Sequence, residues 1–175
     1  GTTAGAPTPR AHMADNDLAI GRIVEGISNS PFWEKTCIFI IEDDPQNGFD
    51  HVDGHRSLCL VISPYSRRRG EVIHDFYNQT SVLHTMTRIL GVPPLTQLSA
   101  MMPVMDNCFT TRPDFSPSRA KPATIALDEA NPAKSALGEK QLQWALASEA
   151  QPFEKFDMAD EDTLNRILWH AQMGV

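Results

Sequence analysis

Thr36-Cys-Ile-Phe-Ile-Ile-Glu42-Asp43-Asp44-Pro-Gln-Asn-Gly48-Phe-Asp50-His51-Val-Asp53-Gly54-His55-Arg56-Ser57-Leu58-Cys-Leu-Val-Ile62 sets two short apolar runs around a polar connection. The runs Thr36–Ile41 and Leu58–Ile62 have the length and composition of strands buried on both faces. Buried strands next to helices predict an α/β sheet covered by helices. In open α/β sheets ligands bind at the carboxyl ends of the strands. The acids and histidines that follow Ile41 are therefore the first place to look for chemistry.

Outward from this stretch, the apolar residues Ile20, Ile23, Val24 and Ile27 recur at the spacing of one helical face. They predict a helix that starts at or near Asp15 or Asp17, with those acids as caps, and ends at Ser28-Asn-Ser-Pro31. The first dozen residues contain Gly1, Gly5, Pro7 and Pro9 and read as an irregular lead-in. Downstream, Glu71–Asp75 is a weaker strand candidate. A helix follows over Gln79–Leu90, with Val82, Leu83, Met86, Ile89 and Leu90 on one face and Gly91 and Pro93-Pro94 as its stop. Thr110–Pro132 is rich in Pro, Ser and Thr and reads as an extended surface segment. Two helices are expected near Glu139–Ala150 and Ala159–Met173. The second carries Leu164, Ile167, Leu168 and Ala171 on one face and acids at its start, where the helix dipole favours negative charge. The expected organisation is an α/β portion over 1–109, an extended segment over 110–135, and helices over 136–175 packed on the same domain.

Composition narrows the function. The chain has 175 residues, 41% of them apolar, which is enough for a core. A net charge of -7 argues against general binding to nucleic acid or anionic membranes, which attract basic proteins. The cluster Arg67-Arg68-Arg69 is too short to reverse that balance. No apolar run approaches the roughly 20 residues needed to cross a bilayer, and no signal-peptide pattern is visible. Cys37, Cys59 and Cys108 contain no C-x-x-C pair and read as small hydrophobes within the fold.

The connection Glu42–Arg56 combines carboxylate oxygens with imidazole nitrogens. That donor mixture suits Zn²⁺, Mn²⁺ or Fe better than Ca²⁺, which prefers oxygen alone, or structural zinc, which takes thiolates. An EF-hand is excluded because the required order of acids and glycine is absent after Asp43 and Asp44. The competing reading is a solvated loop in which Asp and Gly serve turns. His12, His74, His84 and His170 have no clustered ligands around them and read as structural or solvated.

The order of strand, paired acids, Gly-containing loop, Asp-His or Gly-His, and second strand resembles the metal-binding motif of the alkaline-phosphatase superfamily. A closer resemblance is to the bacterial phosphoesterase family related to phospholipase C and acid phosphatases. It is carried by Ala14-Asp-Asn-Asp17-Leu-Ala-Ile-Gly21, Glu42-Asp-Asp-Pro-Gln-Asn-Gly48, Asp50-His-Val-Asp-Gly-His-Arg56, Val61-Ile-Ser-Pro-Tyr65, Ile89-Leu-Gly-Val-Pro-Pro94 and Ala159-Asp-Glu-Asp-Thr-Leu-Asn-Arg-Ile-Leu-Trp169. It covers most of the chain. Asp44 stands where the wider pattern has His.

The resemblance implies a metal-dependent phosphoric ester hydrolase that works by two-metal phosphoryl transfer. Asp43 and Asp44 take the place of ligands to one divalent ion, Zn or Mn, and His55 takes the place of a ligand to the other. His51 is the candidate general acid, oriented by Asp50. Arg56 is the candidate for binding a phosphate oxygen; its other reading is a surface pair with Asp53. The family's upstream Ser or Thr nucleophile is not among these residues. The chain is therefore expected to be the C-terminal portion of a longer protein, partnered by the missing N-terminal part. Ser57 and Ser63 read as packing or turn residues. The substrate implied is a phosphate ester, either a small molecule or a lipid headgroup, and the location implied is periplasmic or secreted. A non-catalytic folded or interaction module and a phosphomutase-like transferase are the alternatives.

Overall fold

The computed structural model describes residues 3–42, 57–67, 72–154 and 158–173. Five α-helices among them are α1 (Pro9–Ser28), α2 (Gln79–Leu90), α3 (Gln97–Met101), α4 (Glu139–Glu149) and α5 (Glu161–Met173). The strands β1 (Ile38–Ile41) and β2 (Cys59–Ile62) pair antiparallel, so the chain is a mixed helix and strand structure, compatible with α/β. It divides into two compact units. One takes its described residues from 3–24, 119–154 and 158–173, and the other from 25–42, 57–67 and 72–118.

The start of α1 corrects the expectation of an irregular lead-in. The helix begins at Pro9, because Thr8 accepts a hydrogen bond from the Ala11 amide on its Oγ1 at 3.1 Å and Pro9 occupies the first helical position, where its missing N–H costs nothing. Asp15 and Asp17 consequently lie inside the helix as exposed residues and cap nothing. In the first unit the segment before α1 is bonded to residues near 130. Thr8 N donates to Glu129 O at 2.8 Å, Asn131 N donates to Ala6 O at 2.8 Å, and Thr8 Oγ1 donates to Glu129 Oε1 at 2.6 Å. A Cβ added at Gly21 would sit 3.4 Å from the Cβ of Ala120, at ordinary van der Waals contact, so the chain at 120 lies directly against this part of the helix.

The helices α4 and α5 pack together, and Trp144 stacks on His170 with ring centroids 4.4 Å apart. The acids at the start of α5 act locally. Asp160 Oδ1 accepts from the Thr163 amide at 2.8 Å, and Asp162 pairs with Arg166 one turn on at 2.8 Å. The Thr163 hydrogen bonds hold the Asp160 carboxyl below its usual range. Of the expected α5 face, Ile167 is buried and Leu168 is exposed.

In the second unit β1 and β2 pair in the register Ile38 to Ile62, Phe39 to Val61, Ile40 to Leu60 and Ile41 to Cys59. Side chains alternate faces along a strand, so Phe39 and Val61 share one face. Both pack on a core of Val82, Met105 and Cys108. Burial on both faces, expected from the sequence, is not found. Ile38, Ile40, Leu60 and Ile62 are half-buried, as are Phe39 and Val61 on the core side, and Ile41 and Cys59, the last pair of the ladder, are exposed. Residues 72–75 form no strand either; Val72 is exposed and no ladder partner lies beside it among the described residues.

The helix α2 has sharp ends. Asn78 Oδ1 accepts from the Ser81 amide at 2.9 Å, and Gly91, at φ 67°, provides the left-handed residue that closes it. Its faces are the reverse of what hydrophobicity suggests. Ser81, Val82 and Thr85 point inward, whereas Leu83, Met86, Ile89 and Leu90 are exposed. The inward hydroxyls are satisfied: Thr85 Oγ1 donates to Ser81 O at 2.7 Å and accepts from Met105 N at 3.0 Å. This bond to Met105 ties α2 to the segment that supplies the core, which a Leu or Met at position 85 could not do.

Candidate metal and phosphate site

The hairpin fixes where the acid-rich connection leaves and rejoins the fold. Extending the register one step past Ile41 and Cys59 sets Leu58 opposite Glu42, and Ser57 is the next residue out. Ser57 Oγ donates to Glu42 Oε2 at 2.7 Å, closing the end of the ladder from which residues 43–56 depart. Both partners are exposed, so this clasp faces water and any solute that comes to the end of the hairpin. Asp43, Asp44, His51, His55 and Arg56, named from the sequence as ligands, general acid and phosphate contact, lie outside the described residues, as do Asp50 and Asp53. Among the described residues no three His, Cys, Asp or Glu side chains converge to hold a metal ion.

The opposite end of β2 is a turn locked by hydroxyls. Ser66 Oγ donates to Ser63 O at 2.8 Å, and the Ser63 amide donates to Ser66 Oγ at 3.2 Å. Ser63 is 3% exposed, so it is a turn residue with no access to a substrate. The turn also anchors the chain after the core. Arg67 N donates to Cys108 O at 2.9 Å, Thr110 N to Tyr65 O at 2.7 Å and Asp114 N to Pro64 O at 2.9 Å. Tyr65 meets Phe115 edge to face, with centroids 5.9 Å apart. The segment after Thr110 is thus fastened at its beginning to the turn that follows β2.

The remaining histidines and cysteines do not add ligands. His84 Nδ1 is 2.7 Å from Met102 O, which uses one ring nitrogen to join α2 to the end of α3. His170 stacks on Trp144, and His12 and His74 are exposed. Burial raises the Cys37 thiol to about 11, against which a hydrogen bond with Ser63 acts only in part, and Cys108 is also raised by burial. Both stay protonated near neutrality and are poor nucleophiles and poor ligands. A cleft of about 310 Å³ lies beside the last turn of α1, lined by Ser28, Ser30, Trp33, Glu34, Phe115 and Pro117. It shares no residue with the hairpin connection.

The sequence places the candidate chemistry on the connection and reads Ser57 as a packing or turn residue, so the clasp with Glu42 is a structural finding. No sequence signal displays it, because both residues lie beyond the paired ladder and regular alternation would put Ser57 on the face away from Glu42.

Residues 7–93 match the Phosphoesterase family, and through that segment the chain belongs to it. Two curated relatives are both named phospholipase C B. They come from Mycobacterium tuberculosis strains CDC 1551 / Oshkosh and ATCC 25618 / H37Rv, and each is 30% identical over 100 residues, 38% of this chain and 19% of the relative. The matched portion thus spans about a fifth of the length of these relatives. No described helix is long and apolar enough to cross a membrane.

Proposed function

We propose that this chain contributes the metal-binding half of a phosphoric ester hydrolase of the alkaline-phosphatase-like superfamily. The observation that carries the reading is the span of the family match, which runs through the connection bearing Asp43, Asp44, His51 and His55 and through both strands that flank it. The pairing of Ile41 with Cys59 and the Ser57–Glu42 hydrogen bond support it, because they bring the two ends of that connection to one place.

The donor set fits a divalent ion of the Zn or Mn kind: two carboxylates and an imidazole supply the hard and borderline donors such ions take. Asp43 and Asp44 would hold one ion and His55 a second. A bound divalent ion supplies Lewis acidity that neutralises charge on the phosphoryl oxygens. Arg56 binds a non-bridging phosphate oxygen through its guanidinium fork. His51 gives a proton to the departing alkoxide, and Asp50 holds its ring in the tautomer that can do so.

The substrate is a phosphate ester, and the name of the two relatives favours a lipid headgroup ester over other members of that class. The nucleophile comes from another segment of the parent polypeptide, and the parent acts in the periplasm or outside the cell. Calorimetric titration with Zn²⁺ or Mn²⁺ tests the ligand set. Asp43→Ala and His55→Ala are each expected to weaken binding at least tenfold, while equal binding by the wild type and both variants would overturn the assignment. Turnover of p-nitrophenyl phosphate and bis-p-nitrophenyl phosphate with metal present tests the need for a nucleophile from elsewhere. Rapid turnover by this chain, lost in His55→Ala, would refute that need, and phosphoryl transfer within a sugar phosphate in place of phosphate release would make the protein a mutase.

A further inference from the structure

We infer that Cys59 and Cys108 are a site of covalent modification, closing to an intramolecular disulfide when a small-molecule disulfide oxidises the chain. Side chains alternate along β2, so Cys59 stands on the same face as Val61, about 7 Å along the strand. Val61 packs on the core of Val82, Met105 and Cys108. Cys59 therefore sits at the open edge of the face beneath which Cys108 lies. The backbone holds the Cys108 segment there, since Arg67 N donates to Cys108 O at 2.9 Å and Ser66 bridges to Phe109. The two thiols also act on each other. Burial raises Cys108 most, and the next cause is the Cys59 thiol, ahead of Arg67, Asp75 and Asp106.

Exposure divides the roles. Cys59 is exposed, Cys108 is 7% exposed, and Cys37 is half-buried with its thiol hydrogen-bonded to Ser63. A reagent therefore meets Cys59 first. The Cys59 thiolate attacks one sulfur of the disulfide, forming a mixed disulfide and releasing one thiolate, which takes up a proton. Cys108 then gives its proton to solvent, and its sulfur attacks the Cys59 sulfur and expels the second thiolate. Two protein thiols are oxidised and the reagent is reduced to two thiols. A thiol raised like Cys108 is seldom ionised, but its thiolate is the stronger nucleophile, and the fold holds the mixed disulfide close to it. Closure takes Cα atoms to within about 7 Å of each other. The exposed pair Ile41 and Cys59 ends the ladder, so Cys59 makes that approach with the pairs from Ile38 to Ile40 intact. The closed loop contains α2 and α3, and such a crosslink restricts the unfolded chain more than the folded one.

The test is oxidation of the 175-residue chain by oxidised glutathione at mildly alkaline pH, followed by alkylation with N-ethylmaleimide and peptide mapping by mass spectrometry. A peptide linked through Cys59 and Cys108 is expected, preceded in time by glutathione on Cys59. Cys37→Ser is expected to form the same bridge. Cys59→Ser changes an exposed position and is expected to stay folded by circular dichroism and to leave Cys108 without glutathione. The oxidised wild type is expected to unfold at higher urea than the reduced one, and Cys59→Ser to show no such difference. A wild type that stops at the Cys59 mixed disulfide overturns the proposal, as does a bridge from either residue to Cys37. A Cys59–Cys108 bridge that forms only after urea has unfolded the chain also overturns it, because the fold then does not direct the pairing.

Discussion

Ser57 Oγ donates a 2.7 Å hydrogen bond to Glu42 Oε2 across the end of the hairpin. It joins the last residue before Asp43 to the first residue after Arg56. Ligands on a connection are positioned by where its two ends are held, and outer contacts of this kind commonly alter metal affinity by about 10- to 100-fold. This clasp is exposed and belongs at the low end of that range. Ser57→Ala and Glu42→Ala are expected to weaken Zn²⁺ or Mn²⁺ binding by roughly tenfold each, and the double variant by no more than either one, because they break the same bond. Glu42→Gln keeps an acceptor oxygen and is expected to fall between wild type and Glu42→Ala. Additive losses in calorimetric titrations would show that the two side chains act separately.

Thr85 is the hub of the second unit, with its hydroxyl between Ser81 O and Met105 N. Thr85→Val preserves shape but leaves the buried Met105 amide without its acceptor, a loss of about 1–3 kcal/mol. Thr85→Ser retains the hydroxyl and is expected to lose less, through one missing methyl. Urea unfolding midpoints of the two variants check the order, and a Val variant as stable as the Ser variant would remove the hydroxyl from the account.

The beginning of α1 shows what a sequence pattern can hide. Apolar periodicity begins only at Leu18 and Ile20, so a reading by hydrophobic spacing starts the helix late, near Asp15. The true start is written in Thr8-Pro9, a cap followed by proline at the first helical position, and it was masked by the glycine and prolines around it. Thr8→Ala removes both the cap to Ala11 and the bond to Glu129 and is expected to cost about 1 kcal/mol. Asp15→Ala and Asp17→Ala, at exposed interior positions, are expected to change stability by less than about 0.5 kcal/mol. Thermal melts of the three variants separate the two possible helix starts.

Cys37 carries a pH signature. Its thiol is raised from 9.0 to about 11, chiefly by burial. A folded-state value above the unfolded one means that the contribution of this group is fully present below pH 9 and is lost as pH rises toward 11, where the unfolded chain gains from ionisation that the fold resists. Native protein is therefore expected to become less stable to urea across that interval, and Cys37→Ala to flatten the decline. Iodoacetamide labelling followed by mass spectrometry is expected to modify Cys37 in native protein only toward pH 11, and near pH 9 once the chain is unfolded.

Legibility differed between elements for physical reasons. Gln79–Leu90 was readable because Gly91 and Pro93-Pro94 mark its end in the sequence, while its Asn78 cap emerges from the structure. The two strands were readable to within two residues, but their pairing direction was not, since an apolar run does not state its partner. Asp43, Asp44, His51, His55 and Arg56 lie outside the described residues, and the Glu42–Ser57 clasp lies beyond the paired ladder, where no sequence pattern displays it.

Val82 and Leu83 show the same limit within one helix turn, and they make the last test. Periodicity places both on one apolar face, yet Val82 is 6% exposed in the core with Met105 and Cys108, while Leu83 is 43% exposed. The inward position belongs to Ser81, Val82 and Thr85 because Thr85 Oγ1 accepts from Met105 N, a hydrogen bond that fixes the rotation of the helix. Val82→Ala should therefore cost about 1–2 kcal/mol through lost burial and a small cavity. Leu83→Gln should change stability by less than about 0.5 kcal/mol. A Leu83→Gln variant as unstable as Val82→Ala would mean that α2 is rotated with its leucines inward.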